Sequence, residues 1–218
     1  GSRGCPFNCT FCYHSLGKGF RKRSVNNLIK ELSMAIDKYK INVISINDDI
    51  FSLDKERINE FCIKIKRLIN TFSWKIIWTC QLSVKDVDKT LLKNMKDCGC
   101  KIISYGFESY SQKVLNSMKK PITPQQIHNA IKLTLQEGIA IQGNFIFGDI
   151  AETKETCITT LEYWKNNCEG QVQLSFVQPY PGSELYNHCI KNNIIKNKLK
   201  YMTEDSWKEN FFNMTKEM

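Results

Sequence analysis

Long apolar runs are missing from this 218-residue chain. No stretch approaches the ~20 apolar residues that a membrane-spanning helix needs, and no basic–apolar–small leader opens it, so neither a membrane nor an export route is expected. A regular disulfide framework is missing too. The ten cysteines are irregularly spaced, which predicts reduced thiols in a reducing, cytoplasmic compartment. Acid is the scarcer charge: 22 Asp and Glu stand against 31 Lys and Arg, for a net +9. Such an excess can mark a nucleic-acid partner. Here the bases are mostly lysines scattered along helical patterns, so nucleic acid is not expected. The run Lys196, Lys198, Lys200 reads as a solvated loop.

Short apolar runs alternate with amphipathic stretches. The runs are Val43–Ile46, Trp74–Thr79, Ile102–Tyr105, Ile141–Phe147 and Val172–Val177. They are β-branched or aromatic and apolar throughout, the pattern of parallel strands buried on both faces. Between them the spacing predicts helices with faces Leu28–Tyr39, Ile58–Ile69, Leu91–Cys98, Ile127–Thr134 and Ile158, Leu161, Trp164. Ser24 reads as an N-cap, Gly99 and Gly138 as helix stops. Cys62, Cys98 and Cys157 fall on apolar helix faces and Cys80 at a strand end, where they read as small buried hydrophobes. The βα repeat predicts an α/β fold, a partial, open (β/α)6 TIM-like barrel whose first strand should end just before Cys5 and is mostly missing from the chain. Residues 1–182 would form the barrel and 183–218 a C-terminal helical extension. In such a fold chemistry sits where strands run into loops. Asn47-Asp48-Asp49, Thr79-Cys80-Gln81, Gly106-Phe107-Glu108-Ser109, Gly148-Asp149 and Gln178-Pro179-Tyr180 all stand there.

The densest chemistry is at the start. Cys5, Cys9 and Cys12 are spaced C-x3-C-x2-C, one thiolate short of a closed site. Close cysteine spacing is common for iron–sulfur clusters, and an open coordination position marks catalytic rather than structural metals. The stretch Ser2-Arg3-Gly4-Cys5-Pro6-Phe7-Asn8-Cys9-Thr10-Phe11-Cys12 resembles the radical S-adenosylmethionine (SAM) superfamily, with Phe11 as the aromatic before the last cysteine. The resemblance implies a 4Fe–4S cluster on Cys5, Cys9 and Cys12, with SAM on the fourth iron. Reductive cleavage of SAM would then give methionine and a 5′-deoxyadenosyl radical that abstracts hydrogen from a substrate.

Other segments extend the likeness. Asn47-Asp48-Asp49-Ile50-Phe51 resembles the D-D-x-F turn, and Arg21-Lys22-Arg23-Ser24 the R-x-R-S stretch, of cobalamin-dependent methyltransferases and anaerobic cyclases. The G-G-E stretch that holds the SAM amino group elsewhere in the superfamily is lacking, so that role passes to Asp48 or Asp49. Gly106-Phe107-Glu108-Ser109 resembles G-x-E-S, which puts Glu108 near the SAM ribose. Lys120 would pair with the SAM carboxylate, Asn144 would point inward to SAM, and Phe11 would lie along the adenine. Phe145–Thr153 resembles F-I-x-G-x-P-G-E-T, with Ile150 and Ala151 in place of Pro and Gly, and Pro179–Tyr186 resembles P-Y-P-G-T-x-L-Y. No D-x-H-x-x-G occurs, so cobalamin would belong to an upstream domain outside this chain. The implied partners are an external electron donor of flavodoxin or ferredoxin type and a small-molecule or peptide substrate. Two other functions compete: methylthiolation within the same class, and a non-catalytic zinc-holding, nucleic-acid-binding module in which His14 is the one nearby fourth ligand.

Overall fold

The computed structural model describes residues 1–203 apart from 15, 16, 18 and 169. The part of the expected C-terminal extension beyond 203 lies outside the described residues. The strands are β1 Ser2–Arg3, β2 Arg21–Lys22, β3 Val43–Ile46, β4 Ile77–Leu82, β5 Cys100–Glu108, β6 Ala140–Phe147 and β7 Gln173–Phe176. The helices are α1 Val25–Tyr39, α2 Lys55–Ile69, α3 Lys89–Asp97, α4 Gln112–Ser117, α5 Pro124–Gln136, α6 Lys154–Asn167, α7 Glu184–Lys191 and α8 Lys198–Thr203. Strands β3 to β7 form one sheet in sequence order. Its β3–β4, β4–β5 and β6–β7 pairs are parallel, as crossover helices between consecutive strands require. The residues before Cys5 are not part of that sheet. Ser2–Arg3 pairs antiparallel with Arg21–Lys22 in a separate two-stranded ribbon.

The chain divides into two compact units. The first comprises Gly1–Pro6, Lys18–Gly106 and Gln125–Gly143; the second, Phe7–Gly17, Phe107–Pro124 and Asn144–Met218. In the first, helix starts are set by side-chain caps. Ser24 accepts from the Asn27 N–H, Asp54 from Arg57 and Asp88 from Leu91, each such cap contributing about 1 kcal/mol. Gly99 and Gly138 follow helices with φ of +94° and +65°, a conformation that Gly adopts without a Cβ clash. The core is aromatic. Phe51, Phe61 and Trp78 are fully buried and meet edge-to-face, with centroids 5.3 Å (Phe51–Phe61) and 5.2 Å (Phe61–Trp78) apart. The Trp78 indole N–H donates to the Cys98 carbonyl at 2.8 Å. Each such ring stabilises the unit by roughly 2–3 kcal/mol through area burial. The predicted strand Trp74–Thr79 is displaced to Ile77–Leu82. Trp74 precedes it, and its indole N–H is drawn to the Ile41 carbonyl at 3.1 Å.

The strands are not buried on both faces as expected. Burial alternates strictly along β3 and along β6 as far as Phe145, and β7 is exposed throughout. The uncovered face carries Ser45, Thr79, Gln81, Ser104 and Gln142. Four of these side chains hydrogen-bond in pairs (Thr79 to Ser45 at 3.4 Å, Ser104 to Gln142 at 3.2 Å). Polar residues at every second position of these strands keep that face wet.

In the second unit, α6 turns a different face inward from the one its apolar residues suggest. Cys157, Thr160 and Tyr163 are buried, while Ile158 is 43% exposed. Thr160 Oγ1 accepts from the Tyr110 N–H at 3.1 Å, and the Tyr163 ring stacks on Tyr110 at 3.5 Å. A satisfied hydroxyl and a stacked ring outweigh one isoleucine. Before α6, the turn that lacks Pro and Gly is closed by side chains instead. Asp149 accepts from the Ala151 N–H at 2.9 Å, and Thr156 donates to the buried Glu152 carboxylate. Burial holds the Glu152 pKa above its ordinary 4.5, with the Thr156 bond offsetting part of the shift. A raised carboxylate costs stability once the pH exceeds its unfolded value, and costs none below it. Glu152→Gln should therefore raise the melting temperature at pH 7, and that gain should vanish below about pH 4. Thermal melts at the two pH values measure it.

Candidate cofactor site

In the first unit the Asp48-Asp49 pair splits into unlike halves. Asp48 is 2% exposed. Its Oδ1 accepts from the Gly1 nitrogen at 2.6 Å and its Oδ2 from the Ser2 hydroxyl at 2.7 Å. Burial raises the pKa of this carboxyl, and the hydrogen bonds from Ser2 lower it. Arg57, 5% exposed, lies behind it. Nη2 donates to the Gly1 carbonyl at 2.9 Å, Nε to the Arg23 carbonyl at 3.4 Å, and Nη1 faces Asp48 Oδ2 at 3.8 Å. The guanidinium sits 5.2 Å from the centre of the Phe51 ring. Asp48, Phe51 and Arg57 thus fasten the stretch that leads into half-buried Cys5. Asp49 is exposed and makes no hydrogen bond or ion pair among the described residues. Arg57 escaped the sequence reading. The signal was a charged residue one position before Ile58 and four before Phe61, on the face that α2 buries.

In the second unit the loop bearing Cys9, Phe11 and Cys12 is tied on two sides. The Thr10 N–H donates to the Met118 carbonyl at 3.0 Å, and the Thr10 carbonyl accepts from the Leu185 N–H at 2.8 Å. Gly182 has φ of +93°, and a Cβ there would stand 2.6 Å from Tyr13 Cε2. The glycine of the P-Y-P-G stretch is therefore required for the chain to pass beneath that ring. Lys119 donates to both Glu184 oxygens at 2.7 Å, joining the same two flanks.

Within this loop the Cys12 N–H donates to the Cys9 carbonyl at 3.1 Å, which closes a turn over the two cysteines. The Cys12 thiol hydrogen-bonds to Cys9. That bond lowers the Cys9 pKa to about 7, against burial and with help from the charge of Lys120. Donating the same bond, together with burial, pushes Cys12 up. Glu108 and Lys120 stand beside the thiols as an ion pair, with Nζ to Oε1 at 2.7 Å. Burial alone would lower the Lys120 pKa, but Glu108 and the cysteines raise it. Glu108 is 7% exposed and has φ of +63°, the centre of a tight turn closed by the Ser109 N–H on the Phe107 carbonyl at 2.8 Å. A non-glycine residue held there stores roughly 1–3 kcal/mol, and such strain clusters at functional positions. Phe11 is half-buried. Asn144, exposed between buried Gly143 and Phe145, lies on the wet face of β6 opposite Gln173.

Cys9, Phe11, Cys12, Glu108, Lys120 and Asn144 fall in the second unit; Cys5, Asp48 and Asp49 fall in the first. All ten cysteines are described and none is in a disulfide. Among the described residues no three Cys, His, Asp or Glu side chains are grouped as a ready metal site, and no helix is long and apolar enough to cross a membrane.

Residues 1–163 match the Radical SAM superfamily. Over 208 residues the chain is 38% identical to an uncharacterized methyltransferase of Pyrococcus horikoshii, covering 94% of this chain and 44% of that protein. It is 26% identical to an anaerobic magnesium-protoporphyrin IX monomethyl ester cyclase of Rubrivivax gelatinosus, over 85% of this chain and 33% of that one. Its fold is similar to that of the radical S-adenosylmethionine methyltransferase TsrM of Kitasatospora setae, solved with cobalamin and a [4Fe-4S] cluster bound. There the TM-score is 0.78 at 16% identity, over 88% of this chain and 36% of that one. The chain thus spans less than half the length of each. The match over residues 1–163, which takes in the cysteine loop and the segments bearing Asp48, Glu108 and Asn144, shows that this chain belongs to the Radical SAM superfamily, a superfamily of enzymes.

Proposed function

We propose that this chain is the SAM-cleaving domain of its enzyme, with Cys5, Cys9 and Cys12 holding a 4Fe–4S cluster. The observation that carries the reading is the Cys9–Cys12 pair: two thiols on one braced turn, one with its pKa brought to about 7, next to a lysine. Metal ligation needs thiolates, and this surrounding favours one at neutral pH. Cys5 stands four residues upstream on a stretch fastened through Asp48. The donor set therefore fits the cluster in chemistry and spacing. The chemistry such a cluster supplies is one-electron reduction of the SAM sulfonium, yielding methionine and a 5′-deoxyadenosyl radical. The chain's own residues bind and orient SAM. Asp49 is the better placed acceptor for the SAM amino group, because the Asp48 carboxylate is already engaged. Lys120 faces the SAM carboxylate while paired with Glu108, which turns to the ribose hydroxyls, Asn144 reaches SAM from β6, and Phe11 packs along the adenine.

Superfamily members need an external reductant and a substrate. For the full-length protein we infer a cobalamin-linked methyl transfer or cyclisation on a small molecule or peptide, the cobalamin carried by a segment outside this chain. The methyltransferase and cyclase relatives and the D-D-x-F and R-x-R-S stretches support this over methylthiolation. Anaerobic reconstitution tests the cleavage itself. Iron content of about four per chain, with methionine and 5′-deoxyadenosine formed under dithionite, is the expected result. Stoichiometric zinc with no SAM cleavage would overturn it.

A further inference from the structure

We propose that the corner between α7 and α8 is the docking site of an acidic one-electron carrier protein, with Lys191, Lys196 and Lys198 as its charged contacts; this deepens the function proposed above and rests on it. The run expected as a solvated loop is partly helical, since Lys198 opens α8. Lys191, Lys196 and Lys198 are exposed, and their ammonium groups make no hydrogen bond or ion pair among the described residues. No acid stands between 185 and 203, and Glu184, which opens α7, is held by Lys119. The next acids, Glu204 and Asp205, lie outside the described residues. Apolar side chains stand exposed among the lysines: Ile194 at 37%, Leu199 at 72% and Met202 at 65%. The corner is a built surface. Tyr186, Cys189 and Ile195 form a small core of their own, against which Ile190 and Tyr201 pack. The Tyr201 ring lies 5.8 Å from that of Tyr186, and its hydroxyl donates to the Pro179 carbonyl at 2.8 Å. The Asn197 side chain caps α8 by accepting from the Lys200 N–H at 3.0 Å. A basic, partly apolar surface held in one shape complements an acidic protein.

Its place in the second unit gives that charge a use. The Leu185 N–H, in the first turn of α7, donates to the carbonyl of Thr10, which stands between Cys9 and Cys12. Lys191 is six residues further along the same helix, about 9 Å of rise. A protein seated on the corner is thus one short helix away from the Cys9–Cys12 turn, within one compact unit. Lysine suits the task. It is a strongly hydrated point charge on a flexible stem, so it draws carboxylates in without fixing them in one geometry. Redox encounters are small, transient and steered by charge, so three exposed lysines matter there more than they would in a permanent interface. In the step served, the carrier loses one electron, the cluster gains it, and no bond forms or breaks between them.

The test uses the full-length reconstituted protein, with flavodoxin hydroquinone as the donor in one arm and saturating dithionite in the other. The triple variant Lys191→Glu/Lys196→Glu/Lys198→Glu should leave the dithionite rate within about twofold of wild type, while raising the KM for flavodoxin and weakening its Kd by roughly tenfold or more at low salt. The difference should disappear near 1 M salt, where the screening length falls to about 3 Å. Lys191→Gln/Lys196→Gln/Lys198→Gln, which removes the charge without reversing it, should show a smaller loss in the same direction. Unchanged KM and Kd in both variants, at wild-type iron content, would overturn the proposal. So would lysine-dependent binding of a single-stranded oligonucleotide, or of vesicles rich in anionic lipid, with no effect on flavodoxin. Absence of SAM cleavage under dithionite in the wild type sinks the function instead, and the flavodoxin Kd, measured with the oxidised carrier, still decides the docking site.

Discussion

Alanine at Cys5, Cys9 or Cys12 is expected to remove bound iron and to lower SAM cleavage by at least about a thousandfold, a barrier increase of about 4 kcal/mol. The loss should be nearly complete at each position, because three donors leave no redundancy when the fourth iron must stay open to SAM. The Cys9 substitution reaches further than its own thiol. Cys12 donates its hydrogen bond to Cys9, so removing either thiol also changes the ionisation of the other. Cys98→Ala is the control. That thiol is 1% exposed and donates to the Met95 carbonyl at 3.2 Å, so its loss should cost on the order of 1 kcal/mol of stability and no iron. Iron analysis, the visible spectrum and product chromatography on the four variants separate the outcomes. A Cys98→Ala protein that loses iron as completely as Cys9→Ala would mean that the core, not the loop, governs loading.

Much of this was readable in the chain because it is local. Caps at Ser24, the stops at Gly99 and Gly138 and the bounds of β3 follow from neighbouring residues. The cysteine spacing also carries its chemistry without any long-range information. The misplacements share one cause, a partner distant in sequence. The start of β4 moved because Trp74 is claimed by Ile41. The buried face of α6 turned by one residue because Thr160 and Tyr163 answer Tyr110, some 50 positions away. Asp48 and Asp49 are equivalent in a motif, and only the bonds from Gly1 and Ser2 tell the engaged carboxylate from the available one. The ribbon between Ser2–Arg3 and Arg21–Lys22 is a pairing that apolar patterning cannot signal, because both strands are polar. The wet sheet face was misread as buried for a related reason. Short runs count Ile and Val but overlook the Ser, Thr and Gln between them, and at period two those decide which face stays in water.

The Lys120–Glu108 pair yields the second large effect, and its two halves should respond unequally. Lys120→Met strands a carboxylate that is 7% exposed and already strained at φ +63°. Breaking a buried pair by removing its counter-charge costs about 3–5 kcal/mol. Partial solvent access to Lys120, whose side chain is 19% exposed, reduces that to roughly 2–3 kcal/mol. Glu108→Gln leaves the lysine able to reach water and keeps an acceptor for its N–H, so its cost should stay near 1 kcal/mol. Glu108→Gly loses the ion pair as well but gains a residue at ease at positive φ, which should recover part of the loss. Urea denaturation of the three variants and the double mutant gives the coupling energy directly. If the proposed SAM contacts hold, the Lys120→Met protein should also show a KM for SAM raised by about tenfold or more, from a lost charge-assisted bond to the carboxylate. Equal destabilisation by Lys120→Met and Glu108→Gln would mean that the carboxylate is solvated in solution, and the strained turn would then need another explanation than cofactor binding.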